Sequence, residues 1–214
     1  MDLKEKYVIY RKRLVEIHMQ ILKEFVNGED YLKAASILGI LDKNNRVVIE
    51  STSENDAIYD FNIYGSVRNG SNAFSEYINK YPPCNKADEE LLIAMKTSDV
   101  GLYEIVGHDQ ENGIIMLRDV MNNSEPIKLI DIGMSENLNP SIFLFTRLIH
   151  LDEFSMTSGL TFAFAIDHKD YLMKNSRKMI KKKVTDLDES VARFITFFML
   201  NRSNGLPVLL EKVK

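Results

Sequence analysis

The chain has 214 residues, 45% hydrophobic and 27% charged, with a net charge of −4. That length suits one large domain or two small ones and buries a self-sufficient core, so disorder is excluded as the default. The charge is too mild to imply a polyanion partner for the molecule as a whole, and it leaves room for a local basic patch on one face. A single cysteine, Cys84, excludes an internal disulfide and a cysteine-based zinc site, and fits a reducing, cytoplasmic setting. Cys84 follows Pro82-Pro83 and reads as a small, partly buried filler. The charged start, Met1 to Lys6, does not read as a signal peptide. No stretch approaches the roughly 18 apolar residues that span a bilayer, so no membrane is expected.

In chain order, Leu14, Ile17, His18, Ile21, Leu22 and Phe25 recur at three- and four-residue spacing. They predict an amphipathic helix from Leu3 to Asn27-Gly28. A second helix is expected over Glu29 to Leu38. Arg46 to Glu50 is β-branched and reads as a short strand or an extended loop. A short helix is expected over Asp56 to Tyr64 and a loop over Gly65 to Asn72. Further helices are expected over Ala73 to Lys80, ended by Pro82-Pro83, and over Asp88 to Lys96, with its acids near the N-terminal dipole.

Five strand-like segments follow: Leu102 to Val106, Ile114 to Asp119, Ile127 to Ile132, Ile142 to Leu151 and Phe154 to Ile166. Short β-rich runs at this spacing predict a small antiparallel barrel, SH3-like or OB-like. Phe143 with Phe145, and Phe162 with Phe164, each share one strand face. The inward face is expected, which makes them the barrel core, because small barrels fill their interiors with large side chains; an outward face could stack bases or grip a peptide. Both faces of these strands could also be buried, one of them against helices. Arg118-Asp119 and Arg147 sit where cross-strand pairing would use them. A basic helix is expected over Asp170 to Lys183. Asp186 to Glu189 resembles a capping box for a last helix with Val191, Phe194, Ile195 and Phe198 inward. Asn204-Gly205 would end that helix, leaving a short tail from Pro207. The fold expectation is α+β: a helical region at 1–98, a barrel at 99–168, and a basic arm with a C-terminal helix at 169–214.

Several pieces between residues 56 and 160 carry a resemblance: Tyr59 to Tyr64, Gly70, Ala73 to Tyr77, Pro82-Pro83, Glu89 to Met95, Leu102 to Val106, Leu117 to Val120, Thr146-Arg147-Leu148 and Ser158-Gly159. This region resembles a domain of uncharacterised bacterial proteins, some of which carry a C-terminal SEC-C zinc motif. The resemblance implies no activity. The cysteines of that motif are absent here, so no zinc site carries over.

The strongest functional candidate is the basic run Lys169, Lys174, Arg177, Lys178, Lys181, Lys182 and Lys183, opposed locally only by Asp170. On a helix, Lys174, Arg177, Lys178 and Lys181 share a face, and Lys182 extends the nucleic-acid-binding candidate. Such a stripe neutralises phosphates and releases counterions. The plain alternative is a solvated helix balanced by Asp186, Asp188 and Glu189, or by Asp88 to Glu90. None of His18, His108, His150 and His168 shows metal-ligand spacing. His150 and His168 would make a metal or catalytic site only if the fold joined them, and His18 reads as a satisfied core histidine. Gly65 to Ser71 lacks the lysine of a phosphate loop, and no nucleophile elbow is present. The sequence therefore reads as a non-enzymatic binding protein without cofactor. A protein partner leads, nucleic acid is the alternative, and a histidine/carboxylate enzyme comes third. The exposed side of the last helix, with Phe197, Met199 and Leu200, offers a contact or homodimer surface.

Overall fold

The computed structural model describes residues 2–67, 71–122, 124–185 and 187–207. Gly70 and part of the loop around it, Asp186 of the expected capping box, and the tail from 208 lie outside these.

Five helices come first: α1 (Leu3–Phe25), α2 (Gly28–Leu38), α3 (Thr52–Tyr64), α4 (Ala73–Lys80) and α5 (Lys86–Lys96). Each starts on Asp2, Asn27, Ser51, Asn72 or Asn85, whose side chain accepts an otherwise unpaired backbone N–H. Asn27-Gly28 therefore opens α2 rather than closing α1 with a glycine. Gly39 ends α2 at φ 72°, a left-handed conformation that glycine adopts without steric cost. Arg46 to Glu50 is extended loop, with one isolated bridge from Leu41 to Val47. Cys84 is exposed rather than partly buried.

The strands are β1 (Asp99–Asp109), β2 (Ile114–Asp119), β3 (Ile127–Ile130), β4 (Ile142–His150), β5 (Ser155–Thr157) and β6 (Phe162–Ala165). The expected single segment from Phe154 to Ile166 is two strands, because the chain turns through Gly159 at φ 115°. A short helix absent from the sequence reading, α6 (Ile132–Glu136), sits between β3 and β4. β1 pairs with both β2 and β4, β3 pairs in parallel with β5, and β5 pairs with β4. The sheet thus closes in the order β1-β2-β3-β5-β4-β1, with β6 added along the first half of β4. This Greek-key closure, with a helix between the third and fourth strands, is the OB-like arrangement, not the SH3-like one. After the barrel come α7 (Lys169–Lys183) and α8 (Glu189–Asn204). Asp188, not Asp186, caps α8 by accepting the N–H groups of Ser190 and Val191.

Alternation along the strands splits the apolar residues into an interior and two covered exteriors. Tyr103, Ile105, Ile115, Leu117, Leu129, Leu144 and Leu148 fill the barrel, with Met134 of α6 packed against them. Phe143, Phe145, Phe162 and Phe164 point the other way, correcting the expectation that they form the barrel core. They are nonetheless fully buried, because α8 lies over them. Phe145 stacks on Phe197 at 4.5 Å between ring centroids, and Phe162 meets Phe198 edge-on at 6.0 Å. A fully buried phenylalanine contributes roughly 1.5–3 kcal/mol relative to exposure, so this aromatic layer is a main bond between α8 and barrel. The second exterior, Ile130, Ile149, Phe154 and Met156, lies in one apolar cluster with α1, α4 and α5, through residues such as Tyr7, Tyr10, Leu14, Leu91 and Leu92.

Candidate functional site

The exposed face of α7 is built by simple segregation. Leu172, Ser176 and Ile180 are buried, while Lys174, Arg177, Lys178, Lys181 and Lys182 are exposed. At 100° per residue the five cations occupy an arc of about 140° opposite the buried stripe. Tyr171, 47% exposed, falls in the same arc. Among the described residues, none of the five lies within ion-pairing distance of a carboxylate.

Several of the acids that could balance the ridge are engaged elsewhere, while Asp170 stands one turn before Lys174 on the same exposed arc. Asp188 caps α8, and Glu189 pairs with Arg193 at 3.1 Å. Asp88 pairs with Arg13 at 2.8 Å. Glu90 accepts from the Tyr10 hydroxyl and from the Asp152 N–H. Asp186 lies outside the described residues. Among the described residues the five cations thus form no ion pair, in a chain of net negative charge, and a partner's negative charge would relieve their mutual repulsion.

Beside the ridge, where the C-terminal end of α7 meets α8, Met179, Leu187 and Met199 line a cleft of about 410 Å³ rimmed by Lys182 and Lys183. Leu187 and Met199 are 38% and 45% exposed. Phe197 and Leu200, expected on this surface, are instead buried at 0% and 4% exposure, because they face the barrel. Only Met199 of that trio remains available.

The β1–β2 and β4–β5 turns, which border the surface by which OB-like barrels bind oligonucleotides, are held by α1. Lys4 donates to the Glu111 carbonyl in the first turn. Lys6 pairs with Glu153 in the second, and the Tyr10 ring meets Phe154 edge-on at 6.3 Å. Among the described residues no aromatic side chain of the barrel is exposed, so the barrel offers no ring on which a base could stack.

Between α1, α3 and the barrel lies a buried polar network that the sequence reading missed. Arg147 donates from Nε to Asp60 at 3.0 Å and from Nη1 to the Ser98 carbonyl at 3.2 Å. Ser158 donates to the same carboxylate at 2.6 Å. The Arg147 guanidinium lies 4.4 Å from the centre of the Tyr64 ring, whose hydroxyl is 2.7 Å from His18 Nε2. Arg147 thus pairs with a helix rather than with Asp119, which instead holds the turn at Met121 and Asn122. Burial, with Arg11 and Arg147 nearby, pushes the His18 pKa down to about 3, so the imidazole is neutral at ordinary pH. Burial also raises Tyr64, keeping its hydroxyl protonated. Each principal member has a partner, so the network acts as a fastener.

The histidine/carboxylate reading fails on distance. His150 ends β4 and hydrogen-bonds Ser155 at 2.8 Å. His168 lies just beyond Ala165, which pairs with Ile142 at the other end of β4. Eight residue steps of strand, about 26 Å, separate those ends. Among the described residues, no group of three His, Cys, Asp or Glu could hold a metal ion, and no helix is long and apolar enough to cross a membrane.

Comparison with known proteins adds one match. No curated protein and no solved structure matches the chain. A family model, described as Family of unknown function (DUF7986), matches residues 1–211. The match is wider than the resemblance at residues 56–160 and takes in the N-terminal helices, the barrel and α7 with α8. The chain belongs to this family of unknown function, DUF7986.

Proposed function

We propose that this is a non-enzymatic binding protein that docks an anionic macromolecule on the exposed face of α7. The observation that carries the reading is the set of five exposed cations, Lys174, Arg177, Lys178, Lys181 and Lys182, with no carboxylate partner among the described residues. The barrel serves as the scaffold, since its aromatic outer face is covered by α8 and its Phe154 side by α1. A bacterial cytoplasmic setting belongs to the same reading and rests on the lone cysteine and the resemblance over residues 56–160.

Tyr171 within the cationic arc favours a second reading, in which the partner is single-stranded nucleic acid and the ring stacks a base. The test is a binding titration at rising salt against labelled polyglutamate and a dT12 oligonucleotide. Five phosphate contacts on a single strand give log K falling with log salt at a slope of about −3 to −4. Lys178→Glu with Lys181→Glu is expected to abolish binding of either probe, and unchanged binding in that variant removes α7 from the account.

A further inference from the structure

The ridge and the cleft share Lys182, and together they define a partner more narrowly than charge alone. We infer that the partner is an acidic peptide segment carrying one large apolar side chain, which seats in the Met179–Leu187–Met199 cleft while its carboxylates lie along the ridge. This rests on the reading of α7 given above.

Three features of the site support the choice. The cleft is apolar at its floor and cationic at its rim, so a group entering it must be apolar and sit next to negative charge. Two of its three apolar residues are methionines, whose flexible, polarisable side chains adapt to a leucine or phenylalanine of varied shape. Among the described residues no aromatic ring lines it and its polar side chains are two lysines, so a nucleobase finds no stacking surface there whereas a carboxylate finds donors. At about 410 Å³ it suits one anchoring side chain with its adjacent backbone rather than a broad protein face.

The dimensions set the spacing of the motif. From Lys174 to Lys182 the ridge extends about 12 Å along the helix axis. An extended peptide covers that length in about four residues. The acidic residues are therefore expected within about four positions of the anchor, on one side of it, with Lys182 and Lys183 holding the nearest carboxylate.

The experiment is fluorescence anisotropy with two labelled 12-residue peptides of Ser and Gly carrying four glutamates. One has a leucine beside the glutamate run and the other a serine there. A dT12 oligonucleotide is titrated alongside. The proteins are the wild type, Met199→Glu, Leu187→Ser, and Lys178→Glu with Lys181→Glu. Met199 and Leu187 are partly exposed, and circular dichroism checks that each variant keeps its helices.

The leucine peptide is expected to bind about ten-fold or more tightly than the serine peptide, as burial of one aliphatic side chain implies. Met199→Glu and Leu187→Ser should each erase most of that preference, whereas the ridge reversal should weaken both peptides together. Equal binding of the two peptides, still lost on ridge reversal, overturns the cleft inference and leaves the ridge reading standing. Tighter binding of dT12 than of the leucine peptide, indifferent to Met199→Glu, overturns it in favour of nucleic acid. No binding of any probe at low salt overturns both.

Discussion

α1 and α7 are both amphipathic helices flanking one barrel, and both carry a row of cations, but the rows have different fates. In α1, Lys4 reaches the Glu111 carbonyl and Lys6 pairs with Glu153. Arg11 donates to the Thr157 carbonyl at 2.6 Å, and Arg13 pairs with Asp88. In α7, none of the five ridge cations has a carboxylate partner among the described residues. Charge of the same sign thus builds architecture in one helix and leaves an open electrostatic demand in the other. The lesson is that a basic stripe gains meaning from the location of the acids: Asp188, Glu189 and Asp88 serve as a cap or as partners for other residues.

The comparison breaks most visibly if structural and functional positions respond alike. Phe197→Ala opens a cavity between Phe145 and Phe164 and is expected to cost about 3–5 kcal/mol in denaturant unfolding. Asp60→Ala leaves the Arg147 guanidinium buried and unpaired, at a similar cost of about 3–5 kcal/mol. Replacing both partners by aliphatic residues (Asp60→Leu with Arg147→Met) should recover much of that loss, and no recovery would show that the Ser98 and Ser158 contacts matter more than the pair.

A smaller effect comes from His18. Its pKa is 6.5 when unperturbed and about 3 in the fold, so between those values the unfolded chain binds the extra proton. Stability is then fully present above about pH 6.5 and falls as pH drops toward 3, by a few kcal/mol at most. Subtracting the unfolding curves of His18→Phe from those of the wild type isolates this window, and a flat difference would contradict a neutral His18. The smallest expected change in stability belongs to the ridge. Lys178→Glu with Lys181→Glu should shift unfolding by no more than about 0.5 kcal/mol, since both side chains are exposed and have no carboxylate partner among the described residues.

Much of the fold was legible where the signal is local. The helix over Ala73 to Lys80 and the strand over Ile114 to Asp119 stand where apolar spacing and turn residues put them. The ridge residues too were legible, since three- and four-residue spacing of cations is a local pattern. What escaped depends on contacts distant in sequence. Strand alternation says that Phe143 and Phe145 share a face, but whether that face is interior or exterior depends on α8, some fifty positions on. Arg147 finds Asp60 across 87 positions, and neither residue sits in a pattern that announces the other. The closed order β1-β2-β3-β5-β4-β1 needs the parallel β3–β5 pairing, a single register contact between Leu129 and Ser155 that no segment encodes alone. The availability of the ridge likewise required knowing that Asp88 and Glu189 were taken.

The measurement that tests the central claim most directly compares two variants of equal charge change at low salt: Lys178→Glu with Lys181→Glu on α7, and Lys4→Glu with Lys6→Glu on α1. Each is titrated with labelled polyglutamate and dT12 beside the wild type. The account predicts that the wild type binds at least one probe, that the α7 variant loses that binding while remaining as stable as the wild type, and that the α1 variant keeps it whenever it stays folded. Equal loss in both folded variants would mean that net charge alone governs binding. Full binding by the α7 variant would contradict the assignment of α7 as the docking surface.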